Sequence, residues 1–223
     1  MFKNRKDAGE KLAKALEKYR FEKPLVLAIP RGGVEVGLQV ARKLDADFSL
    51  IIARKLPFPD NPEAGFGAVA ENGSTFIIEN AHYWLSVETI ERIRQQQIDE
   101  IKRRIKVLRG GNPLPEITGR TVILVDDGIA MGSTMRAVIE LCEGREARKI
   151  VVAAPVAGKE VAKEIEKKVD ELVVLEIPSS FRAVAEAYEK WYDVSDEEVL
   201  DLLRERIREK ELKNNQFNEL EVG

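Results

Sequence analysis

The sequence predicts an α/β protein: a doubly wound, mainly parallel five-stranded sheet, with a hairpin after its third strand and a small helical C-terminal segment. Three observations predict it. Short runs of β-branched and leucine residues recur at 24–29, 48–53, 121–126, 149–154 and 172–177, with helical patterns between most of them. These runs are apolar throughout rather than alternating, as strands buried on both faces are. Two of them end in loops of small or charged residues that lead straight into a helix, where an open α/β sheet binds ligands.

The elements follow in order. Asp7 to Tyr19 carries Ala8, Leu12, Ala15, Leu16 and Tyr19 at a helical period. Pro24 to Ile29 is the first strand; Pro30-Arg31-Gly32-Gly33 turns into a helix over Val34 to Leu44. Phe48 to Ala53 is a further strand and ends in Arg54-Lys55. Leu56 to Ala64, with three prolines, reads as turn and loop. Gly65-Phe66-Gly67-Ala68-Val69-Ala70 has the form of a dinucleotide fingerprint, but no strand precedes it and no helix clearly follows, so that reading is rejected. Gly67–Ala70 and Thr75–Ile78 flank Glu71-Asn72-Gly73-Ser74, a hairpin signal. Ser86 to Leu108 is a long helix, stopped by Gly110-Gly111, with an apolar face of isoleucines and a mixed-charge solvated face. Further helices are expected at Met135–Cys142, Lys159–Val169 and Ala183–Trp191. Another follows a capping box in which Ser195 precedes Glu198. The polar tail from Glu209 to Gly223 is expected to fray.

Composition bounds the function. The 223 residues suffice for a single domain over 1–223, and 44% are hydrophobic, enough for a substantial core. Basic and acidic residues nearly balance, 36 against 39, so there is no electrostatic footprint for nucleic acid. No apolar run reaches membrane-spanning length, and the first residues lack the apolar core of a signal peptide, which leads us to expect a cytoplasmic protein. One cysteine, Cys142, excludes an internal disulfide; one histidine, His82, cannot build a metal site and reads as a surface residue.

The most informative stretch is Thr121-Val122-Ile123-Leu124-Val125-Asp126-Asp127-Gly128-Ile129-Ala130-Met131-Gly132-Ser133-Thr134. A small-residue loop entering a helix offers unpaired N–H groups and the positive end of the helix dipole to an anion. Ser133 and Thr134 add hydroxyl donors, so a phosphate fits over Gly128 to Thr134. Asp126 and Asp127, acceptors when ionised, suit sugar hydroxyls or Mg²⁺ instead. Phosphate on one side and hydroxyls or metal on the other describe a seat for ribose 5-phosphate. An ordinary strand–turn–helix with capping acids is the alternative. Arg31-Gly32-Gly33 makes a second anion-ready turn, with a simple turn as its alternative; Arg54 and Lys55 place two cations at a strand end.

Val122–Thr134 resembles the PRPP-binding signature of the type I phosphoribosyltransferases: apolar strand, two acids, then a small-residue phosphate loop. Met131 stands where that family usually has Thr. The wider pattern is similar to a stand-alone bacterial and archaeal branch of that family. It is carried by Arg5-x-Asp7-Ala8-Gly9, Ile29-Pro30-Arg31-Gly32-Gly33-Val34, Ala53-Arg54-Lys55, Asn61-Pro62-Glu63 and Pro178-x-x-Phe181-x-Ala183-Val184. The resemblance implies PRPP and a nucleobase-like acceptor as partners and Mg²⁺ as cofactor, bound by Asp126 and Asp127 directly or through water. It places the ribose and 5-phosphate on Asp126, Asp127, Gly128, Ala130, Met131, Gly132, Ser133 and Thr134, and the pyrophosphate on Arg31, Gly32, Gly33, Arg54 and Lys55. It further implies a cis peptide at Arg31–Gly32, a flap at about 56–80 and a base-selecting hood from about 178. Phe181, Tyr188, Trp191 and Tyr192 in the hood are able to stack on a base or to serve as core. No general base is named; Glu63 and Glu71 in the flap are the weak candidates. The expected activity is phosphoribosyl transfer, with a non-catalytic PRPP sensor as the alternative; a homodimer is expected.

Overall fold

The structure, a computed structural model, describes residues 1–221, with side chains throughout except at Glu63 and from 214 onward. Five parallel strands form the central sheet: β1 (Leu25–Ala28), β2 (Asp47–Leu50), β6 (Thr121–Val125), β7 (Lys149–Val156) and β8 (Glu171–Glu176), in the order β2-β1-β6-β7-β8. The all-apolar runs at β1 and β6 are buried along their whole length, because helices cover both faces. On one face, α1 (Arg5–Ala15) and α2 (Gly33–Leu44) pack Leu12, Leu16, Val36 and Val40 against Val26, Ile123 and Val151. On the other, α5 (Ser133–Gly144) and α6 (Lys159–Glu166) pack Val138, Leu141 and Ile165 against Leu25, Leu27, Leu124 and Val152.

The chain runs outward from β1 to β2, and later returns to the opposite side of β1 as β6. The winding therefore reverses between β1 and β6. At such a switch point the loops leaving neighbouring strands splay to opposite faces and open a crevice. Here those loops are Pro30–Gly32 and Asp126–Gly132.

Between β2 and β6 lies a second, antiparallel sheet of β3 (Ala53–Phe58), β4 (Asn61–Ala70) and β5 (Thr75–Ile77), in the order β3-β4-β5. The expected Asn-Gly hairpin joins β4 to β5: Gly73 has φ +91°, and Asn72 Oδ1 accepts the Ser74 N–H at 3.0 Å. Two sequence expectations are corrected here. The parallel strand expected to run to Ala53 ends at Leu50, and Ala53 opens β3 instead. The segment 56–64 is mostly paired strand rather than loop. Its prolines are accommodated by register shifts on either side of Pro57 and by the turn at Pro59-Asp60, where no ladder N–H is required.

After the short α3 (Ala81–Trp84), α4 (Val87–Arg109) lays Ile90, Ile93 and Ile101 on the outer face of this small sheet. Its start is capped by Ser86, whose Oγ accepts the Thr89 N–H at 3.2 Å. α7 (Asp196–Glu221) packs Val199, Leu200 and Leu203 against Leu38, Leu50 and Leu108. Its capping box is made: Ser195 N–H donates to Glu198 Oε2 at 2.8 Å, and Glu198 N–H to Ser195 Oγ at 3.1 Å. The tail expected to fray from Glu209 continues α7 to Glu221; Val222 and Gly223 lie outside the described residues.

The helix expected at Ala183–Trp191 is also corrected. Only a short 3-10 turn forms, Val184–Ala187, and the chain then extends. Phe2 N–H donates to Ala187 O (2.7 Å) and Glu189 N–H to Phe2 O (2.8 Å), so pairing with the chain's start replaces the local helix.

Candidate functional site

Each part of the crevice follows from local structure. Asp126 and Asp127 follow the last residue of β6, and the small residues after them let the chain turn into α5. Gly132 takes φ +70°, and a Cβ there would lie 2.6 Å from Val161 Cγ1. A side chain at Gly128 would meet Val184 Cγ1 at 2.5 Å, so the hood packs directly on the loop. Among the described residues, none of the backbone N–H groups of Ala130 to Thr134 meets an acceptor. Arg136, one turn into α5, donates from Nη1 to Met131 O at 2.7 Å, stacks on Phe76 of β5 at 4.9 Å and pairs with Glu164. It holds the loop's carbonyl side and ties it to the small sheet. Met131 is 58% exposed, so its side chain points away from the loop's packing.

The loop faces a cleft of about 270 Å³ lined by Asp126, Gly128 to Met135, Lys55, Gly65 and Val184. Of these, Lys55 comes from β3 and Gly65 from β4; a Cβ at Gly65 would sit 2.5 Å from Lys55 Cγ, so the glycine makes room for the lysine stem.

The Arg31 loop closes the acids from the other side. Cβ atoms built at Gly32 and Gly33 would lie 1.8 Å from Asp127 Oδ2 and 2.9 Å from Val125 O, respectively. Only glycine permits so close an approach of the two loops. A cis peptide is present, but between Pro30 and Arg31, one bond earlier than the resemblance implied.

The two acids are not equivalent. Asp127 Oδ2 accepts the Nε–H of Arg5 at 2.7 Å, and both side chains are largely buried. Arg5 also donates to Tyr192 O at 3.0 Å and stacks on Trp191, its guanidinium carbon 3.9 Å from the ring centroid. Tyr188 donates its hydroxyl to Asp127 O at 2.6 Å. Among the described residues, Asp126 Oδ1 accepts the Asp127 N–H at 2.9 Å. Burial, and then the charge of Asp127, push the Asp126 carboxyl well above the usual carboxylate range. Burial raises Asp127 as well, opposed by Arg5. Thus one acid carries a built-in counter-charge, and the other lines the cleft with no ion-pair partner among the described residues.

The predicted cations separate. Successive residues of a strand point to opposite faces. Lys55 faces the cleft lined by Gly128 to Met135, whereas Arg54 turns to α4 and donates to Gln97 Oε1 at 3.1 Å. There it joins a group that sequence reasoning misses. Burial depresses the Arg54 pKa, and Arg104, Arg31 and Arg103 depress it further, against Glu100. In the sequence, Arg103 and Arg104 belong to a solvated helix face. An i,i+1 pair on one helix gives no other signal until the loop carrying Arg31 and the strand carrying Arg54 are folded against it.

Two weak candidates are resolved or set aside. Glu71 is not at the cleft. It is 7% exposed, accepts Arg109 Nη1–H at 2.9 Å and Nη2–H at 2.5 Å, and also takes the Ile52 N–H at 2.9 Å. With Arg109 donating to Leu50 O, this buried pair anchors the root of the small sheet. Glu63 stands in β4, and its side chain lies outside the described residues. Of the hood aromatics, Tyr188 is core, packed on Phe2 at 5.7 Å, and Trp191 is covered on one face by Arg5. Phe181 lies over Gly158 and Tyr192 is 51% exposed. His82 is at the surface, and burial pushes the Cys142 thiol up to about 12, so it is inert packing.

A family model for the phosphoribosyl transferase domain matches residues 2–190. The chain belongs to that family. It is 34% identical over 207 residues to "Putative phosphoribosyl transferase Rv0571c" of Mycobacterium tuberculosis (strain ATCC 25618 / H37Rv), covering 91% of this chain and 46% of that protein. It is also 28% identical over 179 residues to an amidophosphoribosyltransferase of the same strain, over 78% of this chain and 29% of the other. The chain thus spans less than half the length of these curated relatives. Among solved structures, TT1426 from Thermus thermophilus superposes with a TM-score of 0.77 at 36% identity, covering 92% of this chain and 98% of that one. The five-stranded parallel sheet is therefore the sheet of the phosphoribosyl transferase fold. Among the described residues no helix is long and apolar enough to cross a membrane.

Proposed function

We propose that the protein transfers a 5-phosphoribosyl group between PRPP and a nitrogenous base, releasing pyrophosphate in the synthetic direction. One observation carries the reading: at the β1/β6 switch point, two largely buried acids stand between a loop of unpaired N–H groups and a loop flanked by arginines. On one side are the unpaired N–H groups of Ala130 to Thr134 with Lys55; on the other are the Arg31–Gly33 loop and the arginines around Arg54. PRPP has that pattern of charge, a 5-phosphate and a diphosphate with ribose hydroxyls between them.

In this reading the Ala130–Thr134 N–H groups and the Ser133 and Thr134 hydroxyls hold the 5-phosphate, with Met131 contributing backbone alone. Asp126 receives the ribose hydroxyls. Asp127, tied to Arg5, orders the loop and adds negative potential. Arg31, Gly32, Gly33 and Arg54 hold the diphosphate, while Lys55 sits between the two seats.

Among the described residues no three His, Cys, Asp or Glu side chains gather to cage a metal. The donors fit Mg²⁺ of the kind that keeps its waters and arrives with substrate phosphates, needing one or two carboxylates from the protein. Asp126, with Asp127 beside it, would hold it. When bound, it would neutralise charge building on the departing diphosphate. The C1–O bond to pyrophosphate breaks with its electron pair staying on the pyrophosphate. The base nitrogen bonds to C1 and gives up its proton to the departing pyrophosphate or to water. Fixed guanidinium and N–H donors stabilise the departing charge without reorganising. The small antiparallel sheet covers the cleft through Lys55 and Gly65, and would exclude water when substrate is bound. A cytoplasmic homodimer belongs to the same proposal.

A second reading, a PRPP-binding regulator without turnover, is favoured by one observation. Glu71 is sequestered by Arg109, and Asp126 is the sole acid lining the cleft among the described residues, which do not include the Glu63 side chain.

Turnover separates the two readings. The protein is incubated with PRPP, Mg²⁺ and a pooled panel of bases, and products are read by mass spectrometry with PRPP affinity on the same sample. A new nucleotide mass with pyrophosphate establishes the enzyme and names its acceptor. PRPP bound without product selects the regulator, and no PRPP binding removes both.

A further inference from the structure

The arginine group beside the Arg31 loop holds an acid where a substrate anion would sit. Asp196, the first residue of α7, spans two guanidiniums: Oδ1 lies 3.7 Å from Arg31 Nη1 and Oδ2 lies 3.2 Å from Arg103 Nη2. Arg103 also chelates Glu100, through Nε at 2.7 Å and Nη2 at 2.9 Å, and Arg104 Nε donates to Glu100 at 3.0 Å. Four guanidiniums, Arg31, Arg54, Arg103 and Arg104, thus gather around two carboxylates. That leaves an uncompensated positive field beside the crevice.

The Asp196 contact is poorly made for a permanent one. Its Oδ1 is buried, yet among the described residues it has no hydrogen-bond partner, Arg31 standing too far off at 3.7 Å. A carboxylate placed to serve two arginines well would accept short, paired bonds, as Glu100 does from Arg103 and Glu209 does from Arg42 at 2.8 and 2.9 Å. Leaving a buried charged oxygen without a partner is costly. A richer anion with more oxygens would satisfy Arg31 and Arg103 together better than Asp196 does.

We propose that the diphosphate seat extends beyond Arg31 and Arg54 to Arg103 and Arg104 on α4, and that Asp196 is an internal stand-in for the diphosphate. In the free protein Asp196 pairs with the partly exposed Arg31 and Arg103; the incoming diphosphate displaces it and takes both guanidiniums. The proposal rests on reading the crevice as a PRPP site. It adds that the start of α7 competes with substrate, which makes Arg103 a binding residue and Asp196 a built-in competitor.

The sign of one mutation decides it. Titration calorimetry is run on the full chain with magnesium pyrophosphate, and separately with PRPP, for the wild type, Asp196→Asn and Arg103→Gln; circular dichroism melts confirm that each is folded. Asp196→Asn removes the competitor's charge and is expected to tighten pyrophosphate binding about fivefold. Arg103→Gln is expected to weaken it about fivefold. If Asp196 merely positions Arg31 and Arg103, Asp196→Asn weakens binding instead. That result, or no change, overturns the stand-in. Unchanged affinity in Arg103→Gln overturns the extended seat. In both cases a wild type that still binds PRPP, and loses it in Asp126→Asn, keeps the parent reading intact. A wild type that binds neither ligand removes the parent reading and the inference with it.

Discussion

The two anion seats proposed on either side of Asp126 are built from different materials. The seat over Ala130 to Thr134 is a single run of chain: small residues, a left-handed Gly132, and N–H groups left free by the start of α5. The seat around Arg31 is an assembly of side chains from a loop, β3, α4 and the start of α7. The first is backbone and nearly neutral; the second is charged, partly exposed and only partly balanced by its own acids. A backbone seat is fixed by local geometry and tolerates side-chain change. A side-chain seat depends on every element that feeds it and on ionic strength.

The largest effect should come from the acids between the seats. Asp126→Asn together with Asp127→Asn should abolish Mg²⁺-dependent PRPP binding, a loss of more than about 100-fold by calorimetry, since the two carboxyl groups proposed to meet hydroxyls and metal disappear. Unchanged affinity would show that the seats do not share one ligand. Arg109→Met leaves Glu71 buried without its partner and should cost about 3–5 kcal/mol in denaturant unfolding. Because that pair anchors the sheet carrying Arg54 and Lys55, a loss under about 1 kcal/mol would mean the root of the sheet is held otherwise.

Smaller effects sharpen the contrast. Met131→Thr alters only a side chain that is 58% exposed, so PRPP affinity should stay within about twofold or tighten. A tenfold loss would mean that this side chain, not the backbone, makes the seat. Raising salt from about 50 to 500 mM should weaken pyrophosphate more than ribose 5-phosphate, because exposed guanidiniums are screened and buried N–H groups are not. Equal slopes would erase the distinction. The smallest effect concerns pH. Hydrogen bonds from Arg103, then Arg104, hold Glu100 down to about 2 from its ordinary 4.5. A carboxylate with a lowered folded-state pKa contributes stability above its unfolded value that fades as pH falls through the folded one. The melting-temperature gap between wild type and Glu100→Gln should therefore be constant above about pH 4.5 and close by about pH 2; a gap that widens on acidification contradicts the pairing.

What can be read without coordinates follows the same division. The five parallel strands and the turn from β6 into α5 are legible because each is written in consecutive residues, a continuous apolar run or a small-residue turn. The flanking Arg31-Gly32-Gly33 turn is visible too, although the reason for its glycines is not. They admit Asp127 and Val125 from another strand. Arg54 and Lys55 look like a pair but lie in a strand, which sends them to opposite faces. Arg103 and Arg104 vanish into the charge pattern of a long helix. Arg5, the counter-ion of Asp127, stands 122 residues from it in the chain, and no periodicity reports such a pairing. Glu71 looks free because Arg109, its partner, lies 38 residues on. The hood carries a helical pattern, yet its extended form depends on Phe2 and Tyr188.

The most direct test is a crystal structure of the protein with PRPP and Mg²⁺. The 5-phosphate should rest on the N–H groups of Ala130 to Thr134, the ribose hydroxyls at Asp126, and the diphosphate against Arg31 and Arg54. A PRPP molecule bound elsewhere, or lying in the crevice with its two ends exchanged, would contradict the assignment of both seats.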